Sequence, residues 1–289
     1  MSILSGLDKL GLGDLEQMDL YADPEKEEAE RKKKEQGKEA QIPEEKEFLF
    51  DKSHTCPVCD RVFKARTLRS GRARLLRTDM DLRPVYEYVE PLKYDVISCP
   101  ECGYTALSRY FAGLMESQAK RISESISKAY HPADPNKQPE ETYTYPEAIN
   151  RYKLCLANAI VKHAKASEKA YICLKAGWLV RSMEEALEEE GKNSKADRKK
   201  LEEQQNEFLK NALEGFTNAR QTEGYPMCGM DELTVDYLLA VLAMRFGQKE
   251  VTAKLISEIL TSTSANNRIK DKAREVKEVL LEQIRASRR

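Results

Sequence analysis

The sequence predicts an α+β, mostly α protein: a small β-module stapled by a metal ion, followed by an antiparallel helical solenoid. Three observations carry this. Two Cys-x-x-Cys pairs, Cys56/Cys59 and Cys99/Cys102, bracket a stretch of short β-like pieces. From Ala106 onward apolar residues recur at helical spacing. The 289 residues are too many for one small core and leave room for two or three modules. The expected division is a segment 1–47, a β-module 48–105 and a helical domain 106–289.

The first segment has leucines at 4, 7, 10, 12 and 15, broken by Gly6, Gly11 and Gly13, which weaken a helix. A charged, apolar-poor tether follows, ending where "FLF" at 48–50 restores apolar residues. Residues 1–50 hold 8 basic and 14 acidic side chains, whereas residues 51–104 hold 10 and 8. Overall, 48 Lys plus Arg balance 49 Asp plus Glu, so no global field draws the chain to nucleic acid or to a membrane. No apolar run approaches the roughly 20 residues that span a bilayer, and acidic residues interrupt the N-terminal leucines where a signal peptide would be apolar. A cytoplasmic location is expected, with the unpaired thiols Cys155, Cys173 and Cys228 kept reduced.

Each Cys-x-x-Cys turn supplies two thiolates, and zinc takes four in a tetrahedron. Cys56, Cys59, Cys99 and Cys102 are therefore the expected ligands of a structural zinc in a zinc-ribbon-like module. The 39 residues between the pairs imply an extended β-insert. Gly103 and Asp60, each just after a turn, suit the left-handed backbone by which a chain leaves such a knuckle. Four thiolates close the coordination sphere, so the metal folds the module and does no chemistry. His54 could substitute or merely flank. A redox Cys-Pro-x-Cys would need a strand-to-helix setting that neither pair has.

Between the pairs, "RVFKARTLR" and "RARLLRTDMDL" read as strands joined by a Ser70-Gly71 turn, with "KYDVISC" after them. Arg61, Lys64, Arg66, Arg69, Arg72, Arg74 and Arg77 occur here without an acidic residue, a possible phosphate-binding face. Asp79, Asp81, Glu87, Glu90 and Asp95 follow and could neutralise it. Asp79 and Asp81 could also converge as paired carboxylates, but no catalytic constellation accompanies them, and no phosphate loop or dinucleotide fingerprint occurs. Catalysis is not expected.

In the helical half, a stretch with prolines at 132, 135, 139 and 146 breaks the periodicity, and Thr144-Tyr-Pro-Glu147 reads as a capping box. Ala148, Tyr152 and Cys155, and again Ala212, Phe216 and Ala219, share a small, aromatic, small spacing that resembles the second helix of tetratricopeptide repeats. Leu174 with Trp178, and Leu239, Ala240, Ala243 and Gly247, resemble the first helix, although Thr252 occupies the next small position. A charged insertion at about 184–207 would extend two helices into a hairpin. In that register the inner face presents Lys169, Ile172, Ala176, Leu179 and Val180, then Thr234, Tyr237, Val241, Met244 and Arg245, an apolar surface for a protein or peptide partner. Residues 3–20 could dock there in cis. Ile269, Ala273, Val276, Leu280 and Ile284 form one stripe, which either caps the solenoid or makes a homo-oligomer contact.

Asp79, Asp81, Arg83, Tyr86, Pro91 and Tyr94, closed by "CPECGY", resemble a bacterial family of unknown function that joins a split Cys-x-x-Cys pair to a tetratricopeptide-like region. Leu82 departs from it, where an aromatic is expected. The resemblance implies two modules and lends no activity. The functional expectation is a zinc-stabilised cytoplasmic adaptor for a protein or peptide; the alternative is a nucleic-acid-binding zinc ribbon using 61–77.

Overall fold

The computed structural model describes residues 42–131 and 141–287. The leucine-bearing segment, most of the tether and the stretch 132–140 lie outside the described residues. Glu44–Arg289 form one compact unit, and its described residues are mostly helical with three two-stranded antiparallel sheets.

β1 (Leu49–Thr55) pairs with β2 (Val62–Leu68) across the first Cys-x-x-Cys turn, and β5 (Val96–Ser98) with β6 (Thr105–Leu107) across the second. Between them β3 (Leu75–Thr78) pairs with β4 (Pro84–Tyr86), filling the long spacing. Two expectations are corrected. The two basic pieces do not pair with each other: Gly71 does turn the chain at φ 75°, but the partner of β2 is β1, in register from Leu49↔Leu68 to Thr55↔Val62. Ala106 begins no helix. It lies in β6, and α1 (Glu116–Ile122) starts ten residues later, because a short apolar run fits either period until its neighbours are known.

The β5–β6 hairpin positions the site. Val96 and Leu107 join the core of the helices, while Ile97 and Ala106 join a second core with Cys56, Cys99, Cys102, Tyr104, Phe111 and Ile122. Adjacent strand residues face opposite ways, so a hairpin buried on both sides is apolar throughout.

The remaining helices are α2 (Tyr145–Val161), α3 (Ala166–Glu189), α4 (Lys195–Thr222), α5 (Glu232–Arg245), α6 (Lys249–Thr261) and α7 (Asn267–Ala286), and successive ones pack on each other. α2 opens on its capping box: Glu147 N–H donates to Thr144 Oγ1 at 3.4 Å and Thr144 N–H to Glu147 Oε2 at 2.9 Å. α3 and α4 approach closely; a Cβ at Gly215 would lie 2.8 Å from Ala170 Cβ. They are joined near Gly191, φ 67°, within the charged stretch. The α7 stripe faces inward: Ala273, Val276 and Leu280 are buried, and Ile269 and Ile284 pack on the same core. No described helix is long and apolar enough to cross a membrane.

Candidate metal centre

Cys56-Pro-Val-Cys-Asp-Arg61 and Cys99-Pro-Glu-Cys-Gly-Tyr104 are loops of equal length with the same hydrogen bonds. The first cysteine of each donates its N–H to the last residue's carbonyl, Cys56 to Arg61 at 2.9 Å and Cys99 to Tyr104 at 2.8 Å. Asp60 and Gly103 return N–H donors to the Cys56 and Cys99 carbonyls at 2.9 and 3.1 Å. Both take the left-handed backbone, at φ 59° and 73°.

The two hairpins bring their tips together. All four ligand sulfurs lie within 4.8 Å of one another, with Cys56 Sγ 3.5 Å from Cys102 Sγ and Cys59 Sγ 3.7 Å from Cys99 Sγ. No disulfide joins them, so the four can hold a metal ion. Val58 N–H lies 3.5 Å from Cys56 Sγ, the kind of backbone donor that steadies a thiolate. Four thiols so close titrate against one another. The hydrogen bonds to Cys102 and Cys99, and then burial, push the Cys56 thiol far up; hydrogen bonds from Cys102 and Cys56 hold Cys99 well below the ordinary range. His54 is not among the ligands. It packs between Phe63, tilted at 33°, and Phe111, edge-on at 72°, at 6.0 and 5.7 Å between ring centres.

The second knuckle is tied to the helices. Asn158 Nδ2 of α2 donates to the Gly103 carbonyl at 3.1 Å, and the Tyr130 ring lies so close to Gly103 that a Cβ there would meet it at 2.5 Å. Asn158 went unread in the sequence, although a polar residue on the Tyr152, Cys155, Ala159 stripe is a signal of a buried hydrogen bond.

Asp79 and Asp81 form a joint with α3. Arg83, 1 % exposed, donates to Asp79 Oδ2 at 2.7 Å, Ser182 Oγ at 3.1 Å and Glu185 Oε1 at 2.5 Å. Arg181 forks onto Asp81 at 3.1 and 2.5 Å. Leu82 sits in the middle of this turn at φ 68°, strained for a bulky residue.

The expected partner face is corrected by the same joint. Ile172, Ala176, Leu179, Val180, Tyr237, Val241 and Met244 are buried, and Lys169 is half-buried. Arg245 reaches the surface but is bonded to Gln205 and Asn206 at 2.6 and 3.0 Å. The chain's own β-module packs on this side: Tyr237 Oη donates to the Met80 carbonyl at 2.9 Å, and Lys175, Arg181 and Ser182 of α3 donate to Asp95, Asp81 and Glu90. An apolar helix face meets its first available partner, here within the same unit.

Of the seven basic residues, four are held locally. Arg66 pairs with Asp51 at 3.0 Å, Arg74 with Glu87 at 3.3 Å and Arg77 with Asp79 at 3.2 Å, while Arg69 donates to the Leu49 carbonyl at 2.9 Å. Arg61, Lys64 and Arg72 are exposed and have no ion pair among the described residues.

Neither a curated protein nor a solved structure matches the chain. Residues 49–280, which run from the first hairpin to the last helix, match the family described as "Uncharacterized protein conserved in bacteria (DUF2225)", and the chain belongs to that family.

Proposed function

We propose that the chain is a zinc-stabilised adaptor, with a zinc-ribbon-like module fixed to a tetratricopeptide-like helical region. The sulfur tetrad carries the zinc reading. A Zn–S distance of about 2.3 Å in a tetrahedron sets sulfurs about 3.8 Å apart, and two contacts across the pairs are 3.5 and 3.7 Å. A dication there would stabilise every thiolate and relieve their mutual titration. With four protein ligands the site has no open position, which favours a structural over a catalytic metal. The buried trios Ala148, Tyr152, Cys155 and Ala212, Phe216, Ala219 support the repeat reading. The partner surface lies elsewhere than on the covered face. Arg61, Lys64 and Arg72 support nucleic acid as a second reading.

Metal analysis of protein purified without added metal tests the first part; one zinc per chain is expected, and a content far below that overturns it. For the second, native protein is recovered from its host with and without nuclease. A protein retained in both halves supports the adaptor, and partners lost with nuclease move the function to the basic hairpin.

A further inference from the structure

A cavity of about 780 Å³ opens among β4 and the residues after it, the entry to α2 and the last turns of α3. This is the size of a small-molecule site. It is lined by four tyrosines, Tyr86, Tyr88, Tyr143 and Tyr145, and by five glutamates against two basic residues, Arg83 and Lys93.

Both basic groups are committed. Arg83 is bonded to Asp79, Ser182 and Glu185, and Lys93 to Glu45 at 2.8 Å, so the two basic residues among the described lining are already engaged by acidic partners. Glu90 is the opposite case. Its carboxylate accepts only neutral donors, the Ser182 hydroxyl at 2.6 Å and the Leu92 N–H at 3.1 Å, and makes no ion pair among the described residues. Burial raises its pKa, outweighing the two hydrogen bonds and the nearby charges of Arg83 and Lys93 that pull it down.

The tyrosine faces already receive cations. The Lys93 ammonium lies 4.9 Å from the Tyr145 ring centre, and the Arg151 guanidinium 3.9 Å from that of Tyr143. Tyr88 is held at φ 62° and is 50 % exposed, a strained aromatic at the cavity wall of the kind found at ligand clamps. A bare metal ion is poorly served, since among the described residues only the four cysteines converge closely enough to hold one.

We propose that this cavity binds an organic cation, a primary amine or guanidinium on an aliphatic chain, with its head at Glu90 and its stem along the tyrosine faces. The site is independent of the adaptor reading and of the sulfur tetrad.

Titration calorimetry on the full-length, metal-loaded protein tests it, at roughly 0.15 M salt to screen diffuse attraction. The probes are spermidine, agmatine, a Gly-Lys-Gly peptide and the uncharged 1,6-hexanediol. Saturable binding is expected from at least one of the three cations and none from the diol. Spermidine or agmatine alone would identify a free amine as the ligand class, and the peptide a protein side chain. Glu90→Gln keeps the hydrogen bond from the Leu92 N–H, turns its amide donor to the Ser182 oxygen and should weaken binding roughly tenfold or more, while Glu278→Gln on the exposed face of α7 leaves it unchanged. Should Glu90→Gln not fold, Tyr145→Leu decides, with a several-fold loss expected. No saturable binding by any cation, or binding indifferent to these variants, would overturn the proposal.

Discussion

At the residue scale, two positions separate backbone strain from crowding. Gly71 and Gly103 share nearly the same φ, 75° and 73°, but a Cβ at Gly71 meets nothing, whereas one at Gly103 strikes the Tyr130 ring. Gly71→Ala should cost about 1 kcal/mol and Gly103→Ala clearly more, measured by chemical denaturation. Equal losses would mean that Tyr130 yields freely. Arg83→Met strips Glu185 of its cation, leaves Asp79 to Arg181 and Arg77, and should cost about 1–3 kcal/mol; Arg77→Met, at an exposed pair, should cost about 0–1 kcal/mol. The same pair bears on pH. Burial raises the Asp79 carboxyl, but Arg83, Arg181 and Arg77 outweigh it and hold it below the ordinary range. Its contribution to stability is complete above the unfolded value of about 3.9 and is lost as pH falls through the depressed folded value. Arg83→Met should flatten that part of the acid-unfolding curve.

At the scale of elements, α2 serves two cores. Its capping box starts the helix, and Asn158 near its end holds the Gly103 carbonyl of the knuckle. Thr144→Ala should cost about 1 kcal/mol without changing how fast a chelator removes the metal. Asn158→Ala leaves the buried Gly103 carbonyl with the Thr105 hydroxyl alone, at 3.1 Å, costs about 1 kcal/mol, and should speed metal release. Release kinetics identical in the two variants would deny α2 any part in the site.

At the scale of the molecule, the β5–β6 hairpin is shared between the sulfur cluster and the helical core, so the two cannot melt apart. Stripping the proposed zinc at neutral pH should lower the melting temperature of the whole unit and keep a single transition, followed by far-UV circular dichroism. Unchanged helix melting after chelation would make the β-module an independent appendage. Acid should act like the chelator, because thiolates must be deprotonated to bind.

Features that depend only on neighbours in the chain were legible in the residues themselves. The two Cys-x-x-Cys turns able to hold a metal, the left-handed Asp60 and Gly103, the capping box at Thr144 and the buried small-aromatic-small trios all follow from local spacing and backbone sterics. Long-range packing settles which strand pairs with β2, that Ala106 belongs to a strand, and that Asp79, Asp81 and Arg83 answer to Arg181, Ser182 and Glu185 about a hundred residues away. It also decided the fate of the face from Ile172 to Met244. Apolar spacing states that a surface must be covered, but burial is non-directional and the pattern is the same whether a partner or the chain's own β-module covers it.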